Sequence, residues 1–112
     1  MLSKNNRLTD KKDFETVFSK GKRVSGSNLG VKYLANKLPV SRFGFVVGTK
    51  VSKNAVLRNK IKRRLREITR ACAGQFAPGF DVVVSVFPGA KDYSFEMFKN
   101  ELLKIYHRSG LL

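Results

Sequence analysis

The chain has 112 residues and carries 23 Lys and Arg against eight Asp and Glu, a formal net charge of +15. This length suits a single domain over residues 1–112, and a hydrophobic content of 42% excludes a disordered basic tail because it can form a core. One cysteine, Cys72, excludes an internal disulfide, and no apolar run approaches the ~18 residues that span a membrane. The polar N-terminus is not a secretory signal, so we expect a cytoplasmic protein.

The first half of the chain predicts one helix and two strands. The helix is expected over residues 11–19, where Phe14 and Phe18 lie one helical turn apart. Alternating apolar residues over 23–34 predict the first strand. Residues 42–49 are nearly all apolar apart from glycines, which predicts a second strand that is buried on both faces.

The second half predicts a long helix, a strand and a last helix. Apolar residues recur at helical spacing across residues 54–73, which predicts an amphipathic helix. Its apolar stripe consists of Leu57, Ile61, Leu65, Ile68 and Cys72. Residues 80–87 are rich in valine and predict a third strand, and a last helix is expected between Ser94 and Gly110. The order α-β-β-α-β-α indicates an α+β fold with helices packed on a mixed sheet.

The long helix is also the most basic element. Residues 16–66 contain fourteen Lys or Arg and no carboxylate, although surfaces that only need solubility usually mix both signs. At 100° per residue, the polar residues occupy an arc next to the apolar stripe. They are Arg58, Asn59, Lys62, Arg63, Arg66 and Arg70. Arginine forks at this pitch suit successive phosphates, so we favour a polyanion-binding face over a solvated face or a membrane-surface helix.

Three aromatic residues are candidates for base stacking beside this helix. Exposed rings next to a basic groove are typical of surfaces that bind single-stranded RNA. By residue type, core packing is the more common role for Phe14 and Phe18, and Tyr33 suits either role. His107 is interpreted as a surface residue and Cys72 as a core residue rather than as catalytic groups.

Several motifs resemble those of the bacterial ribonuclease P protein family. The segment VSKNAVLRNKIKRRLRE resembles the family's arginine-rich motif, an R-N-x-x-K-R-x-x-R pattern that begins here at Arg58. The segment FETVFSKGKR resembles the family's signature around Phe14 and Phe18, and LGVKYL resembles the strand that carries a cleft tyrosine, matched here to Tyr33. The loop TKVSKNAV differs from the family's Lys-Lys-x-Gly-Asn-Ala-Val form.

The resemblance implies an α/β sandwich with a left-handed βαβ crossover. It also implies a non-catalytic protein subunit of ribonuclease P, which removes the 5′ leader from precursor tRNA by phosphodiester hydrolysis. The RNA subunit would be the catalyst and would hold Mg²⁺, with no metal or cofactor bound by the protein alone. The implied partners are that RNA and the precursor leader, without a membrane or a protein oligomer.

The resemblance assigns the candidate residues to two surfaces. The RNA subunit would contact the basic helix and the residue before it, which together comprise Lys53, Arg58, Asn59, Lys62, Arg63, Arg66 and Arg70. The leader would enter a cleft between the first helix and the sheet, lined by Phe14, Phe18, Tyr33 and Lys50.

Two other functions stay open on the residues alone. The first is a structural RNA-binding protein of the ribosomal type, although a pure phosphate binder has no need of stacking rings. The second is a protein-only nuclease, which the lack of carboxylates over residues 16–66 disfavours because catalytic metals need such ligands.

Overall fold

The computed structural model describes residues 4–112. Its three α-helices are α1 (Lys11–Lys20), α2 (Ala55–Ala71) and α3 (Phe95–Ser109). Its four strands are β1 (Lys22–Ser25), β2 (Leu29–Ala35), β3 (Arg42–Val46) and β4 (Phe80–Val86). Short 3₁₀ turns occupy Lys4–Asn6, Ala73–Gln75 and Pro88–Ala90.

The strands form one mixed sheet in the order β1-β2-β4-β3. β2 is antiparallel to both β1 and β4, whereas β3 runs parallel to β4. The predicted mixed sheet is therefore confirmed, and the segment from β3 through α2 to β4 joins two adjacent parallel strands. The left-handedness of this crossover stays a prediction of the family resemblance.

The prediction of one strand over residues 23–34 was wrong, because this segment is a hairpin of β1 and β2. The Gly26 N–H donates to the Leu29 carbonyl oxygen at 2.8 Å and closes the turn between the two strands. Gly, Ser and Asn at residues 26–28 are typical turn residues. The observed order is therefore α-β-β-β-α-β-α, within the predicted fold class.

The helices begin and end at identifiable capping residues. Asp10 caps α1 by accepting a hydrogen bond from the Lys12 N–H, and Asn54 caps α2 by accepting from the Val56 and Leu57 N–H groups. Gly110 ends α3 in the left-handed conformation at φ 82°, where a residue without Cβ carries no steric penalty.

The sheet lies between two layers of helices. One face of the sheet packs against α2 and α3 around a large core that contains the fully buried Leu65, Val84 and Tyr106. Its other face packs against α1 through a smaller cluster around Val17 and Val83. Because strand side chains alternate between faces, each strand residue belongs to one layer or the other, and this alternation decides which residues reach the candidate site.

Candidate RNA-binding surfaces

Helix α1 packs against β2 and β4, and the ring of its Phe14 also lies against β3, where a glycine leaves space for it. A Cβ atom on Gly44 would lie 2.5 Å from Cε1 of Phe14, far inside van der Waals contact. Phe14 is half-buried and packs against the small cluster on this face of the sheet. Gly44 therefore provides the space in which the Phe14 ring lies.

An ion-pair network also connects α1 to the sheet. Arg42 on β3 donates to both carboxylate oxygens of Asp81 on β4, at 2.8 and 2.7 Å. Its Nη1 also lies 3.4 Å from Oδ2 of Asp13, next to Phe14 on α1. The hydrogen bonds to Asp81 are the main reason that the pKa of Arg42 is raised. Arg42 therefore helps to set where the first turn of α1 sits on the sheet.

The resulting groove between α1, the end of β3 and α2 has a volume of about 470 Å³, and we call it the α1 cleft. It is lined by Thr9, Lys11, Phe14, Glu15, Phe18, Phe45, Val46, Val47 and Lys62. The Phe18 side chain is 40% exposed, unusually open for a phenylalanine. The structure thus brings the predicted Phe14 and Phe18 together and adds Lys62, which the sequence analysis had assigned to the basic helix alone.

Tyr33 does not lie in this cleft, so its predicted placement there is corrected. Tyr33 packs against the large core, on the opposite face of the sheet from α1, with its ring centroid 6.0 Å from that of Phe80. The neighbouring residue Lys32 reaches α1 instead. Its ammonium donates to the Phe18 carbonyl oxygen at 2.7 Å and lies 5.6 Å from the centroid of the Phe18 ring. A shift of one residue along a strand exchanges its faces, which accounts for the error.

Lys50 also lies apart from the α1 cleft. It is exposed in the turn between β3 and α2, and it is absent from the residues that line the cleft. The lysines that do line the cleft are Lys11 in the first turn of α1 and Lys62, about two turns into α2. The predicted grouping of Lys50 with the phenylalanines is therefore corrected as well.

Helix α2 separates an apolar side from a cationic side as predicted. Ile61, Leu65 and Ile68 are buried in the large core, together with Thr69, whose hydroxyl group lies 2.9 Å from that of Tyr106. The predicted polar arc is open to solvent to differing degrees. Lys53, Asn59, Arg63 and Arg70 are exposed, whereas Arg58, Lys62 and Arg66 are half-buried.

Some of these cations have structural partners. Arg58 donates to the Ser52 carbonyl oxygen at 2.9 Å, which ties it to the loop before α2. Asn59, Arg63 and Arg66 surround a shallow groove of about 270 Å³ that includes Glu67. Glu67 is the one acidic residue among the groove's four, so the groove presents a net positive charge to a ligand.

The cationic side of α2 adjoins the α1 cleft. Lys62 lines the cleft itself, and Arg66 lines a smaller pocket of about 100 Å³ together with Phe14 and Gly44. An RNA strand that contacts the rings of the cleft would therefore lie within reach of the α2 cations. This continuity could not be obtained from the helical angles of α2, because it depends on how α1 packs.

The Cys72 side chain is held against the last turn of α2. The Cys72 thiol contacts the carbonyl oxygens of Ile68 and Thr69 at 3.4 Å, and burial raises its pKa, which favours the unreactive thiol. Across residues 4–112, no group of three or more His, Cys, Asp or Glu is arranged to hold a metal ion. Within the same range, no helix is both long and apolar enough to cross a membrane.

Comparison with known proteins agrees with this geometry. The family model described as Ribonuclease P matches residues 2–110. The ribonuclease P protein component of Synechocystis sp. is 39% identical over 112 residues, covering 99% of this chain and 90% of the relative. That of Syntrophomonas wolfei is 39% identical over 111 residues, covering 99% and 92%.

Solved structures show the same fold. The RNase P protein of Staphylococcus aureus superposes with a TM-score of 0.89 at 30% identity, covering 95% of this chain and 96% of the other. That of Thermotoga maritima gives a TM-score of 0.83 at 33% identity, covering 91% and 96%. The chain therefore belongs to the ribonuclease P protein family, whose members are protein subunits of the ribonucleoprotein endoribonuclease that matures the 5′ ends of tRNA.

Proposed function

We propose that this chain binds two RNAs on adjoining surfaces: the single-stranded 5′ leader of precursor tRNA in the α1 cleft, and the catalytic RNA along α2. The observation that carries the proposal is that Lys62 of α2 lines the same cleft as Phe14 and Phe18. Rings in a cationic cleft suit unpaired bases, because every base has a face that can stack on an aromatic ring.

The α2 surface suits the phosphate backbone of an RNA. Arg63 and Arg70 are exposed on the helix, and Arg66 is half-open beside them. Neutralising phosphates with such side chains releases counterions, which gives affinity without sequence preference. Lys53 and Asn59 extend the same exposed side toward the start of the helix, and Arg58 supports it through its bond to the loop.

The chemical step belongs to the RNA subunit in this proposal. Mg²⁺ held by that RNA would activate the attacking water and stabilise the leaving oxygen of the scissile phosphodiester. The protein's own residues bind and orient: Phe14 and Phe18 hold leader bases, and the α2 cations hold RNA phosphates close to them. We further propose that the protein acts in the cytoplasm.

The proposal is tested with labelled precursor tRNA in Mg²⁺, incubated with protein alone, RNA subunit alone, and both. We expect no cleavage by the protein alone, and faster cleavage by the pair than by the RNA alone when Mg²⁺ is limiting. Cleavage by the protein alone would show a protein nuclease. An unchanged rate on adding protein would instead favour a structural RNA-binding role.

Mature tRNA, which lacks the leader, serves as the control that separates leader binding from assembly of the protein with the RNA subunit. The holoenzyme is expected to bind the precursor with its leader more tightly than mature tRNA, and the bare RNA subunit is expected to show a smaller difference. If the protein raised affinity for both tRNAs equally, its contribution would lie outside the leader.

A further inference from the structure

The groove on the cationic side of α2 contains a carboxylate. The helix sequence, AVLRNKIKRRLREITRA, has seven Lys or Arg, and Glu67 is its single acidic residue. Glu67 is exposed and lines the groove of about 270 Å³ together with Asn59, Arg63 and Arg66. A carboxylate repels phosphates, so a face that only bound phosphates would bind them better without Glu67.

Glu67 does not serve the helix as an ion-pair partner. Within residues 4–112 it forms no ion pair, although Arg63 lies one helical turn before it and Arg66 is its immediate neighbour. Its two carboxylate oxygens are therefore available to accept hydrogen bonds from a ligand in the groove.

This carboxylate selects which groups of an RNA can bind beside it. An ionised carboxylate only accepts hydrogen bonds, and the donors in RNA are the amino and imino groups of the bases and the 2′-hydroxyl group. Guanine presents two donors side by side on its Watson–Crick edge, N1–H and N2–H, which match the two oxygens of a carboxylate. Adenine and cytosine have a ring-nitrogen acceptor beside their amino group, and uracil has a single donor between two acceptors. The carboxylate of Glu67 therefore favours guanine.

The two arginines of the groove complement the rest of a guanine base. Guanine O6 lies next to N1–H and accepts hydrogen bonds from arginine. Arg66 is half-buried and also lines the pocket beside Phe14, so it is the better held of the two arginines and suits the donor to O6. Arg63 is exposed, and its planar guanidinium can stack on the ring. The base must be unpaired, because a base pair would occupy its Watson–Crick edge.

We propose that Glu67 recognises one unpaired guanine of the RNA subunit. Its carboxylate accepts hydrogen bonds from N1–H and N2–H, while Arg66 donates to O6 and Arg63 stacks on the ring. The inference rests on the proposed function, which places the RNA subunit on α2, and extends it from phosphate binding to recognition of a base. Phosphate contacts position a protein but carry no sequence information, so the contact of Glu67 determines which site of the RNA α2 occupies.

The test compares binding of the RNA subunit by the wild-type chain and by Glu67→Gln at fixed salt concentration. Glutamine keeps the size of the side chain but presents one acceptor and one donor, so it cannot accept from both guanine donors. We expect binding to weaken roughly five- to 150-fold, the range for loss of one bidentate base contact, with an unchanged salt dependence because no phosphate contact is lost. Kethoxal, which modifies N1 and N2 of unpaired guanines, should then modify a guanine that the wild-type chain protects.

The sign of the change in affinity separates this inference from a carboxylate that is merely solvated. If Glu67 only lay near phosphates, Glu67→Gln would remove a repulsion and tighten binding. Glu96→Gln removes the same charge from an exposed position on α3, and it should leave the affinity and the kethoxal pattern unchanged. Equal or tighter binding by Glu67→Gln, or an unchanged set of protected guanines, would overturn the inference.

An exchange of base specificity provides a second test. A glutamine amide is complementary to adenine, to which it donates one hydrogen bond and from which it accepts another. Replacing the protected guanine with adenine should therefore weaken binding of the wild-type chain and strengthen binding of Glu67→Gln. The same loss for both chains would overturn the inference.

Arg63→Ala distinguishes failure of this inference from failure of the proposed function. If Arg63→Ala and Glu67→Gln both leave the affinity for the RNA subunit unchanged, α2 does not face the catalytic RNA and the proposed function fails. If Arg63→Ala weakens binding and Glu67→Gln does not, the proposed function stands and recognition of guanine by Glu67 alone fails.

Discussion

The ring of Phe14 fills the space that a side chain on Gly44 would need. Gly44→Ala should therefore push the ring away from β3 and distort the α1 cleft, since the nearest atoms belong to an aromatic side chain packed against the sheet. We expect a loss of stability of about 1–3 kcal/mol from overpacking, measured by urea unfolding. Binding of precursor tRNA by the holoenzyme should weaken more than binding of mature tRNA.

Gly48 offers a matched control for this variant. A Cβ at Gly48 would meet nothing within 4 Å, and the residue is exposed. Gly48→Ala should therefore leave both stability and precursor binding near the wild-type values. Similar losses in the two variants would mean that the contact between Phe14 and residue 44 is not what shapes the cleft.

The opposite placement of Phe18 and Tyr33 gives a second prediction. Phe18→Leu should lower the preference for precursor over mature tRNA roughly five- to fiftyfold, because it removes an exposed ring from the cleft. Tyr33→Leu removes a ring from the other face and should leave that preference unchanged. The measurement is the ratio of the two dissociation constants at fixed salt. If Tyr33→Leu, and not Phe18→Leu, lowered this preference, the leader would bind the face of the sheet on which Tyr33 lies.

The error over Tyr33 shows where the sequence stops being informative. Alternation of apolar residues placed Leu29, Val31 and Tyr33 on one side of a strand, but it could not say which side faces α1. That choice depends on the packing of α1 against β2 and β4, which is a tertiary contact. The resemblance to the family's cleft tyrosine then selected Tyr33 because it is the tyrosine of this strand. In the structure, the residue of this strand that lies beside Phe18 is Lys32.

Other features could be predicted because they depend on local spacing. The centre of the apolar stripe of α2 (Ile61, Leu65 and Ile68) is buried as expected, whereas its ends, Leu57 and Cys72, are half-buried. Asn54 caps the helix where the predicted start lay. The second predicted strand, which is β3 in the structure, is buried on both faces because the smaller cluster under α1 covers one face and the large core covers the other. The β1–β2 hairpin was missed because the turn residues at 26–28 were included in one predicted strand, whereas Val24 and Val31 are partners across the two strands of the hairpin.

The cationic face of α2 leads to a prediction about salt. Arg63→Ala should weaken assembly with the RNA subunit and make the logarithm of the affinity fall less steeply with the logarithm of salt, by roughly one unit of slope. Lys99→Ala removes the same charge from an exposed position on α3 and should leave the slope unchanged. Titrations at several salt concentrations measure both, and matching slopes in the two variants would show that the net charge, not this face, drives assembly.

The network of Arg42, Asp13 and Asp81 predicts a cost in stability. Arg42→Met would leave the nearly buried Asp81 carboxylate with Asn36 as its remaining side-chain donor, at 2.9 Å. We expect a loss of about 1–3 kcal/mol in the free energy of unfolding, because the Arg42 end of the pair is partly open to water. Arg70→Met, at an exposed position on α2, should change the free energy far less. If the free energy of unfolding fell by the same small amount in Arg42→Met and Arg70→Met, the ion pairs of Arg42 would not stabilise the packing of α1 on the sheet.

The buried Tyr106 predicts how stability depends on high pH. Burial raises the pKa of Tyr106, so the folded chain keeps the phenol protonated where the unfolded chain loses its proton. The stabilisation is complete below the ordinary tyrosine pKa of about 10 and is lost as the pH rises above it. In Tyr106→Phe, the decline in stability between about pH 9 and 11 should be shallower, as measured by urea unfolding. If the decline in stability were as steep in Tyr106→Phe as in the wild-type chain, groups other than Tyr106 would cause the loss of stability at high pH.

The central claim is that the leader lies on the α1 face of the sheet while α2 faces the catalytic RNA. It is tested most directly by photo-crosslinking in the assembled holoenzyme, with 4-thiouridine placed in the precursor leader and the crosslinked peptides identified by mass spectrometry. The account predicts crosslinks within residues 11–20 of α1 and residues 45–47 at the end of β3, which line the α1 cleft, and a strong reduction when Phe18 is replaced by leucine. Leader crosslinks that fall mainly on α3 would contradict it.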